Sequence, residues 1–267
     1  MENFTLKAAL KMMGVSYLGN VAHSAKMSAS FRNGTMTYCI YLAPWNMSGH
    51  NVCPNGQHCH KNCLVKSGRE KIKEFKEGEN NAVLNARIRK TNFFYENRET
   101  FMQVMIHEIK KYQRRAQRMN MEFSVRINGT SDLSPILFKD PISGKNILEL
   151  FPNVQFYDYT KNVKRIELMN IYPNYDVTFS FDGYNHSECE EFLKRGGKVA
   201  VVFYGGLPKT YKGYKVVDAN QYDMRYLDPK GCIMGLHYHV TANDYYINNS
   251  GKREFREPNT PFVVKMG

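Results

Sequence analysis

The chain has 267 residues, 42% of them hydrophobic, and its 37 Lys and Arg against 25 Asp and Glu give a formal charge of +12. That size suits one large domain or two small ones, with a globular share of apolar residues. No stretch approaches the ~20 apolar residues of a membrane span, and the opening segment lacks the charged and apolar regions of a secretory signal, so the expectation is a soluble intracellular protein with no membrane partner. The basic excess favours a polyanionic partner, nucleic acid included, although a generally basic surface explains it equally well.

In chain order, residues 1–36 are mixed, with Gly19, Gly34 and many small polar residues. A strand is predicted over 37–43 (TYCIYLA), followed by a polar, cysteine-bearing loop. Residues 66–79 are strongly charged and read as solvated. Helices are predicted over 81–91 and 98–119. In the second, Phe101, Met105, Ile109, Tyr112 and Ala116 share one face, which should be buried. Lys110, Arg114 and Arg118 recur on another face, with Lys111 and Arg115 alongside. Such a stripe either meets phosphates or is the wet side of an amphipathic helix.

Beyond Asn120 short apolar runs predict strands over 122–128, 154–159, 176–181, 198–204, 214–218 and 232–240. Helices are predicted at 147–151 and 187–195, the latter closed by Gly196 and Gly197. Runs such as Val199-Ala200-Val201-Val202-Phe203 have the character of strands buried on both faces, as in parallel sheets. The fold class expected is α/β with mostly parallel strands, a partial or complete (β/α) barrel of the TIM type, in a single domain spanning 1–267. Strand ends carry Arg126, Asn128, Asp132, Asp158 and Lys161, and later Arg225 and Asp228 as weaker candidates. In a barrel these ends gather on one rim and make the active site. The bland alternatives are loop polarity, and an ion pair between Arg126 and Asp158 across neighbouring strands.

The feature with most chemistry is Cys53-Pro54-Asn55-Gly56-Gln57-His58-Cys59-His60-Lys61-Asn62-Cys63. Three of the six cysteines fall within it, spaced C-x5-C-x3-C. In a reducing compartment, disulfides are disfavoured and metal binding is favoured. Three thiolates can hold three irons of a [4Fe-4S] cluster and leave the fourth open to a small ligand. Zinc is the competing cofactor, with His50, His58 or His60 completing a Cys3His site, although structural zinc sites prefer C-x2-C or C-x4-C spacing. A loop that binds nothing is the third alternative. Cys39, Cys189 and Cys232 read as core residues. If one of them supplied a fourth ligand, redox sensing or electron transfer would be the function.

Several stretches resemble a family of uncharacterised bacteriophage proteins: Tyr41-Leu42-Ala43-Pro44 through Asn51-Val52-Cys53-Pro54, Asn85–Thr91, Arg126–Asp132, Phe151–Lys161 and Leu227-Asp228-Pro229-Lys230-Gly231. That family is distantly similar to phage gene-product-88 type proteins. Both are similar to radical S-adenosylmethionine (SAM) enzymes in placing three cysteines near the first barrel strand. The typical radical SAM spacing is C-x3-C-x2-C, tighter than the loop here. The resemblance implies a phage protein in the cytoplasm of the infected bacterial host. It also implies cluster binding by Cys53, Cys59 and Cys63, and SAM or a small molecule at the open iron. Arg126, Asn128, Asp132, Asp158 and Lys161 would line the pocket. The rival function is a nucleic-acid-binding protein with a structural iron–sulfur or zinc site.

Overall fold

The computed structural model describes residues 5–21, 25–59, 63, 81–239, 245–248, 250 and 252–266. Helix α1 (Leu6–Met13) is started by the Thr5 hydroxyl, which accepts from Ala8 N, and stopped by Gly14 at φ 68°. Strand β1 (Gly19–Asn20), α2 (Ala25–Arg32) and β2 (Thr35–Ile40) follow. Then come α3 (Ala82–Glu96), capped by the Asn81 side chain, and α4 (Arg98–Arg118). Next are β3 (Glu122–Arg126), α5 (Ile147–Leu150), β4 (Gln155–Thr160), α6 (Arg165–Ile171), β5 (Tyr175–Ser180), α7 (His186–Lys194) and β6 (Lys198–Tyr204). The last strands are β7 (Thr210–Tyr211), β8 (Tyr214–Asp218), β9 (Ile233–His237), β10 (Tyr245–Ile247), β11 (Arg253–Phe255) and β12 (Val263–Lys265).

The main sheet has the order β1-β2-β3-β4-β5-β6-β9-β8-β7. Strands β2 to β6, with β9 and β8, are mutually parallel, whereas β1 and β7 pair antiparallel at the two ends. Strand β12 lies parallel to the last residues of β6, Val202 to Tyr204. Because β5 pairs only with Lys198 to Ala200, β12 sits beyond the end of β5. The pair β10 and β11 forms a separate antiparallel ribbon.

Alternation along the strands gives the sheet two unlike faces. Tyr38, Ile40, Val125, Phe156, Val177, Phe179, Val199 and Val201 join one apolar core with Phe101, Met105 and Ile109 of α4, Ile166 of α6 and Phe192 of α7. The residues between them are polar and buried: Thr37, Ser124, Asp176, Thr178 and Lys198. Part of this second face is covered by α2, where the Tyr41 hydroxyl reaches the Met27 sulfur at 3.2 Å, and by residues 219–228.

The α/β class and parallel strands agree with expectation, but a complete barrel does not. The sheet is open, ending in β1 and β7, which do not meet. The physical reason is the edge strands: each runs antiparallel, so neither offers the parallel ladder that would continue a (β/α) barrel to closure. The predicted strand 37–43 begins at Thr35 and ends at Ile40, and the strand 232–240 ends at His237, with residue 240 outside the described residues. The charged stretch 66–79 also lies outside them. Helices α1, α2 and α6 and strands β1, β7, β10, β11 and β12 are additions. Among the described residues no helix is long and apolar enough to cross a membrane.

Candidate functional site

The cysteine loop leaves the C-terminal end of β2 and is tied down at several points. Ala43 N donates to the Thr91 hydroxyl of α3 at 2.9 Å, and the Thr130 hydroxyl donates to Leu42 O at 2.6 Å. Val52 is fully buried, and its carbonyl accepts from Asp132 N at 2.8 Å. Two turns then follow in succession. Gly56 N donates to Cys53 O at 2.9 Å, and Cys59 N donates to Gly56 O at 3.0 Å. They curl Cys53 and Cys59 around Gly56: a Cβ placed there would lie 3.3 Å from the Cys53 Cβ and 3.8 Å from the Cys59 Cβ. A side chain at that point would crowd Cys53 and touch Cys59, so glycine lets the two turns close without displacing Cys53.

The third cysteine is near enough to Cys53 to influence it electrostatically. Burial pushes the Cys53 thiol up to about 12, and the Cys63 and Cys59 thiols both add to the rise. Cys63 itself packs with Met47, Leu84 and Ile88. Burial also raises Cys59, while the Lys161 ammonium opposes the rise and Asp182 and Asp132 add to it. Cys59 therefore lies near Lys161, Asp132 and Asp182, which follow β4, β3 and β5 in the chain.

Asn128, Asp132, Asp158 and Lys161 meet there, in mostly structural roles. The Asp158 carboxylate accepts from Asn128 N at 3.0 Å and from Asn128 Nδ2 at 2.9 Å. Asn128 Oδ1 accepts from the Ser131 hydroxyl and from Leu133 N, which closes the 128–133 loop on itself. Asp132 accepts from the Thr160 hydroxyl at 2.8 Å and Lys161 N at 2.9 Å, and pairs with Arg165 at 3.2 Å. Burial raises Asp158 to about 6 and raises Asp132 as well, with Arg165 pulling both back. The Lys161 ammonium donates to Ser180 O at 3.2 Å and stands 5.6 Å from the centre of the Phe262 ring.

Arg126 lies apart from this group. Val125 and Phe156 are register partners facing the helices, so Arg126 shares the opposite face with Tyr157, and Asp158 falls on the helix side. The anticipated Arg126–Asp158 pair does not form. Arg126 instead pairs with Asp223 at 2.7 Å and lies over the Tyr159 ring, while the Tyr157 hydroxyl donates to the same Asp223 oxygen at 3.3 Å. Arg225, fully buried, pairs with Asp228 at 3.0 Å and donates to Tyr222 O. Its carbonyl accepts from the Lys198 ammonium, which also pairs with Asp176 at 2.6 Å. Lys26 donates to Ala219 O at 2.8 Å, and burial lowers its amine to about 8. Sequence reasoning missed Lys26, Asp176, Lys198 and Asp223. For Asp176 and Lys198 the available signal was a charge alternating with apolar residues inside a strand; for Lys26 and Asp223 no local pattern existed.

Among the described residues, no group of three or more His, Cys, Asp or Glu side chains is already arranged around a common metal position. His50 stacks on Tyr95 at 4.0 Å, and His58 tilts against Tyr184 at 4.3 Å, whereas His60 lies outside the described residues. Cys39, Cys189 and Cys232 are all buried, and the Cys232 thiol donates to Pro229 O at 2.8 Å. No curated protein and no solved structure matches the chain, and the likeness to radical SAM enzymes gains no support from these comparisons. The model of the family described as Gene product 88 matches residues 14–252, a span that takes in the three loop cysteines and the parallel strands β2 to β6, β8 and β9, and the chain belongs to that phage gene product 88 family.

Proposed function

We propose that the protein is an iron–sulfur protein acting as a single domain in the cytoplasm of the phage-infected host, with Cys53, Cys59 and Cys63 as the ligands of a [4Fe-4S] cluster. The observation that carries this reading is the pair of turns that wraps Cys53 and Cys59 around Gly56, with Cys63 within electrostatic reach of Cys53. Three cysteines in one loop suit three irons of such a cluster and leave one iron without a ligand from the loop, and the described residues would have to draw together on loading, since no three of them surround a common metal position. When bound, such a cluster supplies an electron and an open iron for a small ligand.

The chain's own residues would supply the rest. Lys161, beside Cys59, offers a point charge to a carboxylate or phosphate. Asp132 positions the chain entering the Lys161 turn through Lys161 N. Asn128 and Asp158 hold the neighbouring loop and are positioning residues. A radical-SAM-like enzyme with SAM at the open iron is the most specific form of this proposal. A zinc site on the same cysteines is its competitor; the contacts of His50, stacked on Tyr95, and His58, tilted against Tyr184, work against the Cys3His version.

Anaerobic purification followed by iron and sulfide analysis tests the reading. The expected result is a brown protein holding iron with inorganic sulfide, lost in Cys53→Ala, Cys59→Ala and Cys63→Ala and kept in Cys189→Ala. Stoichiometric zinc without sulfide would overturn it, as would full iron content in Cys59→Ala.

A further inference from the structure

Helix α4 changes character halfway along. Its first half is embedded: Phe101, Met102, Val104, Met105 and Ile109 are fully buried. Its second half carries Lys110, Lys111, Arg114, Arg115 and Arg118, all exposed except for the aliphatic stems near Tyr112. The nearest acid in the helix, Glu108, is turned inward, where it accepts from Leu18 N at 3.0 Å, Gly19 N at 2.8 Å and the Tyr38 hydroxyl at 2.7 Å. Among the described residues none of the five cations has a carboxylate within ion-pair distance.

The same chain shows what a self-compensated helix looks like. In α7, Lys194 pairs with Glu190 at 2.7 Å and Arg195 with Glu191 at 3.3 Å, each at i,i+4 spacing. In α4 the i,i+4 neighbours are Lys110 with Arg114, Lys111 with Arg115 and Arg114 with Arg118, all like charges, an arrangement that costs helix stability. The helix dipole accounts for cations in the last turn only, which covers Arg115 and Arg118 and leaves Lys110, Lys111 and Arg114 without a structural reason.

The surroundings extend the patch. A shallow depression of ≈ 470 Å³ is lined by Arg114, Gln117 and Arg118. The turn beside Lys110 adds exposed Lys139 and Lys145. Its one acid, Asp140, is engaged by Ser143 N at 3.0 Å and the Ser143 hydroxyl at 2.6 Å, and feels Lys110. From residue 110 to residue 118 the helix rises about 12 Å, a length over which a nucleic-acid duplex presents several phosphates. We propose that the C-terminal half of α4 docks the phosphate backbone of duplex nucleic acid, without reading bases. Between Lys110 and Arg118 the helix exposes no large apolar side chain for insertion into a lipid surface; the exposed Ile136, Leu137 and Ile142 lie in the neighbouring segment and not along the helix, which is why a duplex is favoured over a membrane.

This surface is independent of the cysteine loop, so the two proposals stand or fall separately. The test is anisotropy of the full-length protein on a fluorescent 30-bp DNA duplex as salt rises from 50 to 200 mM. If all five cations neutralise phosphates, affinity falls about 500-fold over that range, a log–log slope of about −4.5. The K110Q/R114Q/R118Q variant should lose about 2.7 from the slope, and the five-fold variant nearly all of it. A K194Q/R195Q variant of the internally paired α7 should keep the wild-type slope. Circular dichroism melts establish that each variant is folded, and K110E/R114E replaces any that is not. No duplex binding by wild type at 50 mM, an unchanged slope in the triple variant, or binding to phosphatidylserine vesicles in preference to DNA would each overturn the proposal.

Discussion

Removing the Asp132 carboxylate tests how the rim is held. In Asp132→Ala, the Thr160 hydroxyl and Lys161 N lose their acceptor, and Arg165, whose side chain is 2% exposed, loses the carboxylate it pairs with at 3.2 Å. Arg165 would retain Leu133 O and the Tyr175 hydroxyl, both at 3.1 Å, which are neutral partners. Breaking one side of a buried pair costs about 3–5 kcal/mol. The lower end applies here, because burial raises Asp132 and so already works against its carboxylate. A loss of about 3 kcal/mol lowers the melting temperature by about 6–12 °C for a chain of this size. The Asp132 N–H that anchors Val52 O survives in the variant, so iron loading should fall less than stability does. Thermal melts of Asp132→Ala, Arg165→Met and the double variant decide the matter. The double variant should recover part of the loss, since the buried guanidinium left by Asp132→Ala is gone, and only part, because Asp158 also loses the Arg165 charge. A single variant that melts within about 2 °C of wild type, or a double variant that falls by the sum of the singles, would refute the reasoning.

Two further outcomes are expected. Gly56→Val puts a Cβ 3.2 Å from Cys53 O and 3.3 Å from its Cβ, so iron retention should weaken by about 10-fold, the scale for groups that orient metal ligands, while the urea midpoint holds; normal iron retention in that variant would count against the Gly56 cradle. Asp158 has a folded value of about 6, above the ordinary 3.8, because burial disfavours its charge. A raised carboxyl costs stability above its folded value, and the cost disappears below its unfolded one. Between pH 7 and pH 4, wild type should therefore gain about 2–3 kcal/mol on Asp158→Asn; a gap that stays constant with pH rules this out.

The framework was legible wherever periodicity was strong. The α4 stripe of Phe101, Met105, Ile109 and Ala116 is buried as its spacing requires, and the strands 198–204 and 214–218 appear with those bounds. Short elements with weak moments, such as α6 over Arg165–Ile171, were lost among polar neighbours. The rim was legible because polar residues clustered at strand ends, and Asn128, Asp132, Asp158 and Lys161 do converge there. Arg126 was misassigned through its partner. Sequence proximity to strand ends suggested Asp158, but the register of Val125 with Phe156 puts the two side chains on opposite faces. Asp223 comes from a segment 97 residues away, and no local pattern announces such a contact.

The two ends of the sheet carry a consequence for how the molecule behaves among copies of itself. A parallel sheet that stops short of closing presents rows of unpaired N–H and C=O groups, which are templates for another chain. Here both outermost strands, β1 and β7, are two residues long and reversed in direction. An incoming strand would find a ladder too short to nucleate on, and one of opposite polarity to the parallel sheet behind it. The protein can thus keep an open sheet without recruiting neighbours edge to edge.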